Sequence, residues 1–503
     1  MPGTSCGENS ASTLLLADYS TELRWSYFGS LALAVLQVAS TSILARLLTP
    51  ADFGIMAVVL VLSRAMGYFA QFGVARALVQ KDTLDTDEIR GAWTVAFTCG
   101  LVSTLAMFAG ASWLARFFHQ ETAAAAIRLF SFNFLLQAMT LTSTALLRRR
   151  LRIKRLAIIE TMAFLIGQFA LGVPAACLGA GYWAIVLSML GQSLVLALAC
   201  FVSAPHSLRP SLHFRRYSSL VSFGGKASGV SLVEFLSASA DTFTLGKIAS
   251  ATSLGLYNRA FMLINLPLQY LWNGLQKVLF PALARQQNDA LQLRQMIEDA
   301  TRIFSAVVIP VGIGAALCAH SIVLSVLGDQ WNDAIPVLQW LCLAAVFNCL
   351  SHISALLTEA VGKFAAKAYA QSAVLVAMVA CVYSGAKYGV AAAAMAVAAV
   401  ECFRCLALLL VCTQMLHCSP VRIARAWLPG TGAGVPVGLT AGLIDRSMFL
   451  PELPAVRLAL AIVSCAFVLL AYYRVFYPRS VLRSLGALAG TRRESYVRRA
   501  AAA

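Results

Sequence analysis

The chain has 503 residues, of which 59% are hydrophobic and only 12% are charged, and its mean hydropathy is +0.76. These values exclude a soluble globular protein and predict a polytopic membrane protein. We attribute the net charge of +17 to topology signals and contacts with anionic lipid, so nucleic acid is not expected as a partner.

Apolar windows of about 20 residues, the length of a transmembrane helix, recur along nearly the whole chain. Residues 1–23 precede them; this stretch is polar with acidic side chains, which is not typical of a cleaved signal peptide. We predict an all-α protein with about 14 membrane spans. Numbered one to fourteen in chain order, they are 25–47, 53–79, 92–115, 124–147, 157–178, 182–203, 218–248, 254–283, 301–326, 334–358, 365–386, 388–414, 428–444 and 455–477.

Basic residues concentrate after the even-numbered spans, from Arg148-Arg149-Arg150 after span four to the C-terminal tail. Because Lys and Arg remain on the cytoplasmic side, both termini are expected to be cytoplasmic. The predicted organisation is a cytoplasmic N-terminal segment, a first lobe of spans one to six, a second lobe of spans seven to twelve, two additional spans and a basic cytoplasmic tail. These are residues 1–23, 24–208, 209–414, 415–478 and 479–503.

A repeat relates the two predicted lobes. The stretch 44–47, Leu-Ala-Arg-Leu, followed by Phe-Gly-Ile at 53–55, recurs 201 residues later as Leu-Gly-Lys-Ile at 245–248, followed by Leu-Gly-Leu at 254–256. Two similar bundles in one membrane protein are typical of transporters that expose one site alternately to the two sides.

Polar residues share helix faces in spans one, two, seven and eight. In an ideal helix, span seven places Lys226, Glu234 and Asp241 within an arc of about 80°, and an isolated charge near the bilayer centre costs about 3 kcal/mol. These spans are therefore predicted to line one aqueous lumen, although polar side chains can also hold helices together in bilayers. The other lumen candidates are Gln37, Arg64, Gln71, Arg259, Asn265, Gln269 and Asn273. Pro267 interrupts span eight, as in a hinge or a cavity-lining helix.

Enzyme signatures are not found. The chain has no P-loop, and Asp85-Thr86-Asp87 is interpreted as a solvated acidic loop rather than a sugar-transferase motif. Cys402 and Cys405 form a Cys-x-x-Cys pair in an apolar helix without a second pair, so we assign no metal and no cofactor.

Several segments resemble the polysaccharide transporter family, the Wzx-like lipid-linked oligosaccharide flippases of the multidrug/oligosaccharidyl-lipid/polysaccharide exporter (MOP) superfamily. They include Leu-Ala-Arg-Leu-Leu-Thr-Pro-Ala-Asp-Phe-Gly at 44–54, Asn-Leu-Pro-Leu-Gln at 265–269 and Val-Leu-Phe-Pro-Ala-Leu at 278–283. The resemblance implies a MATE-like fold of two pseudo-symmetric six-helix lobes around a basic lumen, plus two C-terminal helices. It implies a flippase of the bacterial inner membrane that moves undecaprenyl-pyrophosphate-linked oligosaccharides for exopolysaccharide, capsule or O-antigen synthesis, with polymerase or co-polymerase components as partners.

On this chain the resemblance assigns pyrophosphate binding to Arg64, Lys226 and Arg259. It assigns sugar binding to Gln37, Gln71, Asn265, Gln269 and Asn273. Glu234 and Asp241 are candidates for proton or ion coupling, because burial can raise the pKa of a carboxylate into the working range. Three alternatives remain open: a cation- or proton-coupled small-molecule exporter, a lipid II flippase, and a non-transporting scaffold of a synthase complex.

Overall fold

The computed structural model describes residues 29–30, 32–71, 85–210, 235–287, 289–362, 364–447 and 453–477, and every secondary-structure element in these ranges is helical. The predicted all-α class is confirmed. The helices that correspond to spans one to six are Ala32–Leu47, Pro50–Gln71, Thr86–Phe117, Ala123–Ser131 with Asn133–Arg149, Ile153–Leu165 to Val173–Cys177, and Tyr182–Ser203. Those of spans seven to fourteen are Ala240–Ile248, Ala251–Arg285, Ala290–Leu317 with Ala319–Val326, Ala334–Ala360, Phe364–Ala386, Val390–Met415, Leu428–Arg446 and Pro454–Phe476.

Ten helices within the described ranges are long and apolar enough to cross a membrane, and they correspond to spans two to six, nine to twelve and fourteen. Span one is described as a shorter apolar helix, Ala32–Leu47, and span seven is described only from residue 235. Span eight is helical throughout but carries amide and charged side chains, and span thirteen is rich in glycine. The chain is thus a multi-span membrane protein, and the number fourteen stays a prediction.

Polar segments extend or interrupt several predicted spans. Span nine begins at Ala290, well before the predicted residue 301, because Asp289 caps it by accepting the N–H groups of Leu291 and Gln292, each at 3.0 Å. The acidic residues before span three were predicted to lie in a loop, and this is wrong. Asp85 and Glu88 form a capping box at the first turn of the helix Thr86–Phe117.

The described residues divide into two compact units after Gly255, and we refer to them as the first unit and the second unit. In the first unit, span five contains a π-helical turn, Ile166–Gly172. A Cβ on Gly167 or Gly172 would overlap with Ser188 of span six, so the glycines allow the two helices to approach closely. The lobe boundaries drawn from the sequence stay predictions.

The repeat appears as a symmetric contact within the first unit. A Cβ on Gly54 would overlap with the carbonyl oxygen of Ala251, and a Cβ on Gly255 would overlap with that of Pro50. Adding 201 residues converts Gly54 into Gly255 and Pro50 into Ala251. The first turns of spans two and eight therefore cross backbone to backbone in a pseudo-twofold arrangement, and both glycines are required there because any side chain would separate the helices.

Asp52, in the first copy of the repeat, holds two helix ends together. Its Oδ2 accepts hydrogen bonds from the Thr49 backbone N–H at 3.0 Å and the Thr49 hydroxyl at 2.7 Å. Its Oδ1 accepts the backbone N–H of Tyr182, the first residue of span six, at 2.9 Å. A carboxylate beside a helix N-terminus is favourable because the helix dipole and the free N–H groups are both positive there.

In the second unit, spans nine, ten, twelve, thirteen and fourteen pack closely. The glycine-rich span thirteen lies against span nine, where a Cβ on Gly430 would overlap with the Ser305 carbonyl oxygen. Span fourteen is anchored by the Tyr473 hydroxyl, which donates a hydrogen bond to the Ala306 carbonyl of span nine at 2.8 Å. The two C-terminal spans are therefore integral to the second unit.

Candidate functional site

The candidates in spans one and two lie in the first unit. The Arg64 side chain is exposed, and Tyr68, one turn later, packs its ring 5.4 Å from that of Phe235 in span seven. Gln37 is half-buried on span one. Gln71 ends its helix, and its side chain lies outside the described residues. An exposed arginine in a membrane-spanning helix is a suitable contact for an anion.

The polar face of span seven is described only in part, because Lys226 and Glu234 lie outside the described residues. Asp241 is buried, with 5% exposure, and its Oδ1 accepts the backbone N–H of Thr242 at 2.6 Å. The helix is interrupted at Ser239, whose φ of −114° and ψ of 11° depart from α-helical values. The placement of Glu234 and Asp241 on one helical stripe stays a prediction, because Glu234 lies outside the described residues.

The amide side chains of span eight lie in the second unit. Arg259 is half-buried and donates a hydrogen bond to Asn258 Oδ1 at 3.1 Å. Asn265 is half-buried, whereas Gln269 and Asn273 are exposed. Of the predicted sugar-binding residues, Asn273 lines a depression of about 350 Å³ whose floor follows one face of this helix. The lining residues are Asn273, Gln276, Lys277, Phe280 and Pro281.

A second, apolar cavity of about 440 Å³ lies on another part of span eight. Spans eight, nine, ten, thirteen and fourteen all contribute to it, and each lining residue that the structure describes is apolar, glycine or cysteine. Representative residues are Leu263, Pro267, Pro310, Cys342, Val437 and Leu469. Pro267, predicted to mark a hinge or a cavity-lining position, lines this cavity. The sequence did not predict the cavity, because its walls come from five helices that hydropathy alone cannot assemble.

Sequence reasoning also missed a buried polar cluster in the second unit. It joins Glu401 and Arg404 of span twelve to Asn348 of span ten. The available signal was a Glu-x-x-Arg sequence inside an otherwise apolar helix, a pattern that is costly unless the charges are paired. No group of three His, Cys, Asp or Glu side chains suited to a metal ion is found within the described ranges.

Comparisons with known proteins match this architecture. The profile of a family described as "Polysaccharide biosynthesis protein" matches residues 43–336, more than half of the chain. The lipopolysaccharide biosynthesis protein WzxC of Escherichia coli (strain K12) is 25% identical over 335 residues, covering 65% of this chain and 67% of WzxC. The succinoglycan biosynthesis transport protein ExoT of Rhizobium meliloti (strain 1021) is 24% identical over 320 residues, covering 64% of this chain and 65% of ExoT.

Among solved structures, the lipid II flippase MurJ in an inward closed conformation superposes with a TM-score of 0.71 at 13% identity. The superposition covers 90% of this chain and 99% of MurJ. At this identity the likeness shows the fold alone, and it confirms the predicted MATE-like fold.

Proposed function

Because the chain belongs to the polysaccharide biosynthesis protein family, whose relatives are membrane transporters, we propose that it is a flippase of the bacterial inner membrane. Its substrate is an undecaprenyl-pyrophosphate-linked oligosaccharide repeat unit used for exopolysaccharide, capsule or O-antigen synthesis. The similarity to a lipopolysaccharide biosynthesis protein and to a succinoglycan transport protein supports this substrate class.

One observation carries the proposal: span eight presents two different surfaces within the second unit. Asn273, Gln276 and Lys277 line a polar depression, whereas Leu263 and Pro267 line an apolar cavity. A sugar pyrophosphate requires hydrogen-bond donors and positive charge, and a polyisoprenyl chain gains free energy wherever apolar surface replaces water. An amphipathic lipid-linked sugar requires both surfaces near one another.

In this proposal Arg64, Lys226 and Arg259 attract the pyrophosphate. Gln37, Gln71, Asn265, Gln269 and Asn273 contact the sugars. The two repeat-related lobes alternate access, with both termini in the cytoplasm and polymerase or co-polymerase components receiving the product. Moving two negative charges outward across an inside-negative membrane releases about 4.6 kcal/mol per 100 mV, so ATP is not required. Coupling to protons or ions is assigned to Glu234 and Asp241.

A cell-based experiment tests the proposal. Deletion of the gene is expected to abolish the surface polysaccharide and to accumulate lipid-linked oligosaccharide on the cytoplasmic leaflet. Complementation with the Arg64→Ala or Arg259→Ala variant is expected to restore little polysaccharide. The Arg302→Ala variant, which removes an exposed arginine paired with Asp299, is the matched control and is expected to restore it fully. Restoration by all three variants would contradict the assigned anion site.

The same strain distinguishes the lipid II alternative, since the lipid II flippase MurJ has a similar fold. Loss of a lipid II flippase stops cell-wall synthesis, so a viable deletion strain without surface polysaccharide supports our proposal. Lysis of the depleted cells, with intact polysaccharide export until death, would favour lipid II.

A further inference from the structure

The second unit contains an ion pair in the middle of a membrane-spanning helix. The side chains of Glu401 and Arg404 on span twelve are each 8% exposed, and Glu401 Oε1 lies 3.2 Å from an Arg404 terminal nitrogen. Asn348 of span ten donates a hydrogen bond to Glu401 Oε2 at 2.9 Å. Ionisable side chains at membrane depth are costly, and their default interpretation is functional.

His352 lies one helical turn after Asn348 on span ten. Its imidazole ring stacks on the indole of Trp272 of span eight, with ring centroids 4.9 Å apart and an interplanar angle of 26°. Span nine contributes Phe304, whose ring contacts the same indole at 5.8 Å. The histidine therefore stacks on one face of an indole that is itself packed against span nine.

Two cationic side chains on two helices act on His352. Arg404 of span twelve and Lys367 of span eleven both exert a positive potential on the ring. Lys367 is paired with Glu359, at the cytoplasmic end predicted for span ten, at 2.6 Å. Glu401, the other charge on span twelve, is engaged by Arg404 and Asn348. The side of the ring that stacks on Trp272 is uncharged.

A proton on His352 would place a third positive charge beside Arg404 and Lys367. Like charges at short range in a low-dielectric interior repel strongly, so the protonated ring favours an arrangement in which spans eleven and twelve lie farther from it. The guanidinium of Arg404 already neutralises Glu401, which leaves little attraction for a metal cation. Burial and the two cations disfavour a proton on this ring in the present arrangement, so proton uptake is linked to a separation of these helices. Histidine suits this role because it is the side chain whose ordinary titration lies near neutral pH.

We propose that His352, stacked on Trp272 and repelled by the charges of Arg404 and Lys367, is a proton-binding site whose occupancy controls the packing of spans eight, ten, eleven and twelve. The link to transport rests on the proposed flippase function, whereas proton binding itself does not. The site is separate from Glu234 and Asp241 and lies wholly within the second unit.

Trp272 provides a reporter that needs no substrate, because a cation over an indole face perturbs the ring electronically. The pH dependence of tryptophan emission would be measured for the purified full-length protein in nanodiscs, with the Trp272→Phe variant subtracted to remove the other tryptophans. We expect a single-proton transition that disappears in the His352→Gln variant. In the Lys367→Gln variant the midpoint is expected to move to higher pH by about 0.5 units or more, since a repelling charge is removed.

The matched control is Lys387→Gln, which removes a lysine from the opposite end of span eleven, where it lies over the Tyr383 ring. This variant is expected to keep the parent midpoint. If the parent shows no transition between pH 4 and pH 9, or if the transition persists in the His352→Gln variant, the proton site is wrong.

Transport is measured separately, as the pH profile of lipid-linked oligosaccharide movement in proteoliposomes. We expect the His352→Gln variant to lose at least half of the parent's pH dependence. A parent that shows the emission transition but no transport would reject the flippase and keep the proton site. An unchanged transport profile in His352→Gln would show that proton binding does not control the cycle, and would overturn that part of the proposal.

Discussion

At the scale of single residues, Asp52 joins two helix N-termini through one carboxylate. The Asp52→Ala variant is expected to lose about 1–2 kcal/mol of stability, because the caps on spans two and six disappear together. The measurement is the midpoint of denaturation in mixed detergent micelles. Asp299→Ala removes an exposed carboxylate in an i,i+3 pair and serves as the control, with an expected change below about 0.5 kcal/mol. Equal midpoints for the two variants would contradict the role of Asp52.

His206, in the connection after span six, gives the chain a pH-dependent contact. Burial lowers the pKa of its imidazole, and Nδ1 lies 3.2 Å from the Ser143 hydroxyl. A lowered folded-state pKa means that the unfolded chain binds the proton first as the pH falls below about 6.5. Stability is therefore complete above that pH and declines as the pH approaches the lower folded value.

We expect hydrogen exchange of residues 201–210 to accelerate between pH 7.5 and pH 5.5, after correction for the intrinsic pH dependence of exchange. The His206→Gln variant, which cannot take up this proton, is expected to show the same corrected exchange at both values. An identical acceleration in the parent and the variant would assign the effect to another group.

Candidate polar residues could be identified from the sequence, whereas their contacts in the folded protein could not. Polar groups on spans one, two and eight can be located from the sequence, because charges and amides in apolar helices differ from their neighbours, and their role in a lumen stays a prediction. The sequence could not predict the link from Asp52 to Tyr182 or the stacking of His352 on Trp272. Both contacts join residues that are distant in the chain, and only packing brings them together.

At the scale of helices, the crossing of spans two and eight depends on two glycines related by the repeat. Gly54→Ala and Gly255→Ala are each expected to destabilise the protein by about 1–3 kcal/mol, because the added methyl group meets a backbone carbonyl that cannot move independently. Gly67 and Gly274 lie in the same two helices, and a Cβ there meets no described atom within 4 Å.

Gly67→Ala and Gly274→Ala are therefore matched controls and are expected to be neutral or stabilising by up to about 1 kcal/mol, because alanine favours the helix. The assay is again detergent-induced denaturation. A destabilisation shared by all four variants would show that the crossing has no special requirement.

Helix positions followed from hydropathy where spans are uniformly apolar. Span six was predicted at 182–203 and is Tyr182–Ser203. Span nine, by contrast, begins at Ala290 because an amphipathic, charged first third continues the helix beyond its apolar part. Hydropathy identifies the part of a helix that lies in lipid, and it does not detect polar helical turns outside the membrane.

At the scale of the whole molecule, the apolar cavity of the second unit is assigned to the lipid part of the substrate. The Ala466→Trp variant fills it from span fourteen and is expected to reduce transport at least fivefold. Val463→Trp adds the same side chain at a position that is 68% exposed on the same helix, and it is expected to keep the parent rate. Equal transport rates for the two variants, measured in proteoliposomes, would contradict a role of the cavity in binding the lipid.

The family and the fold could be predicted from the repeat and the motifs, because these are short contiguous segments that can be recognised in the sequence. The apolar cavity could not, because it depends on how the last two spans pack against spans eight, nine and ten. The lumen, the orientation and the lobe boundaries remain predictions of the sequence and of the proposed mechanism.

The central claim is tested most directly by transbilayer movement of a radiolabelled undecaprenyl-pyrophosphate oligosaccharide in proteoliposomes that contain the purified chain. We predict movement that is faster than in protein-free vesicles and increases with an imposed potential favouring anion exit. It is expected to fall sharply in the Arg64→Ala and Arg259→Ala variants. The absence of movement by correctly folded protein supplied with its native sugar unit would contradict this claim.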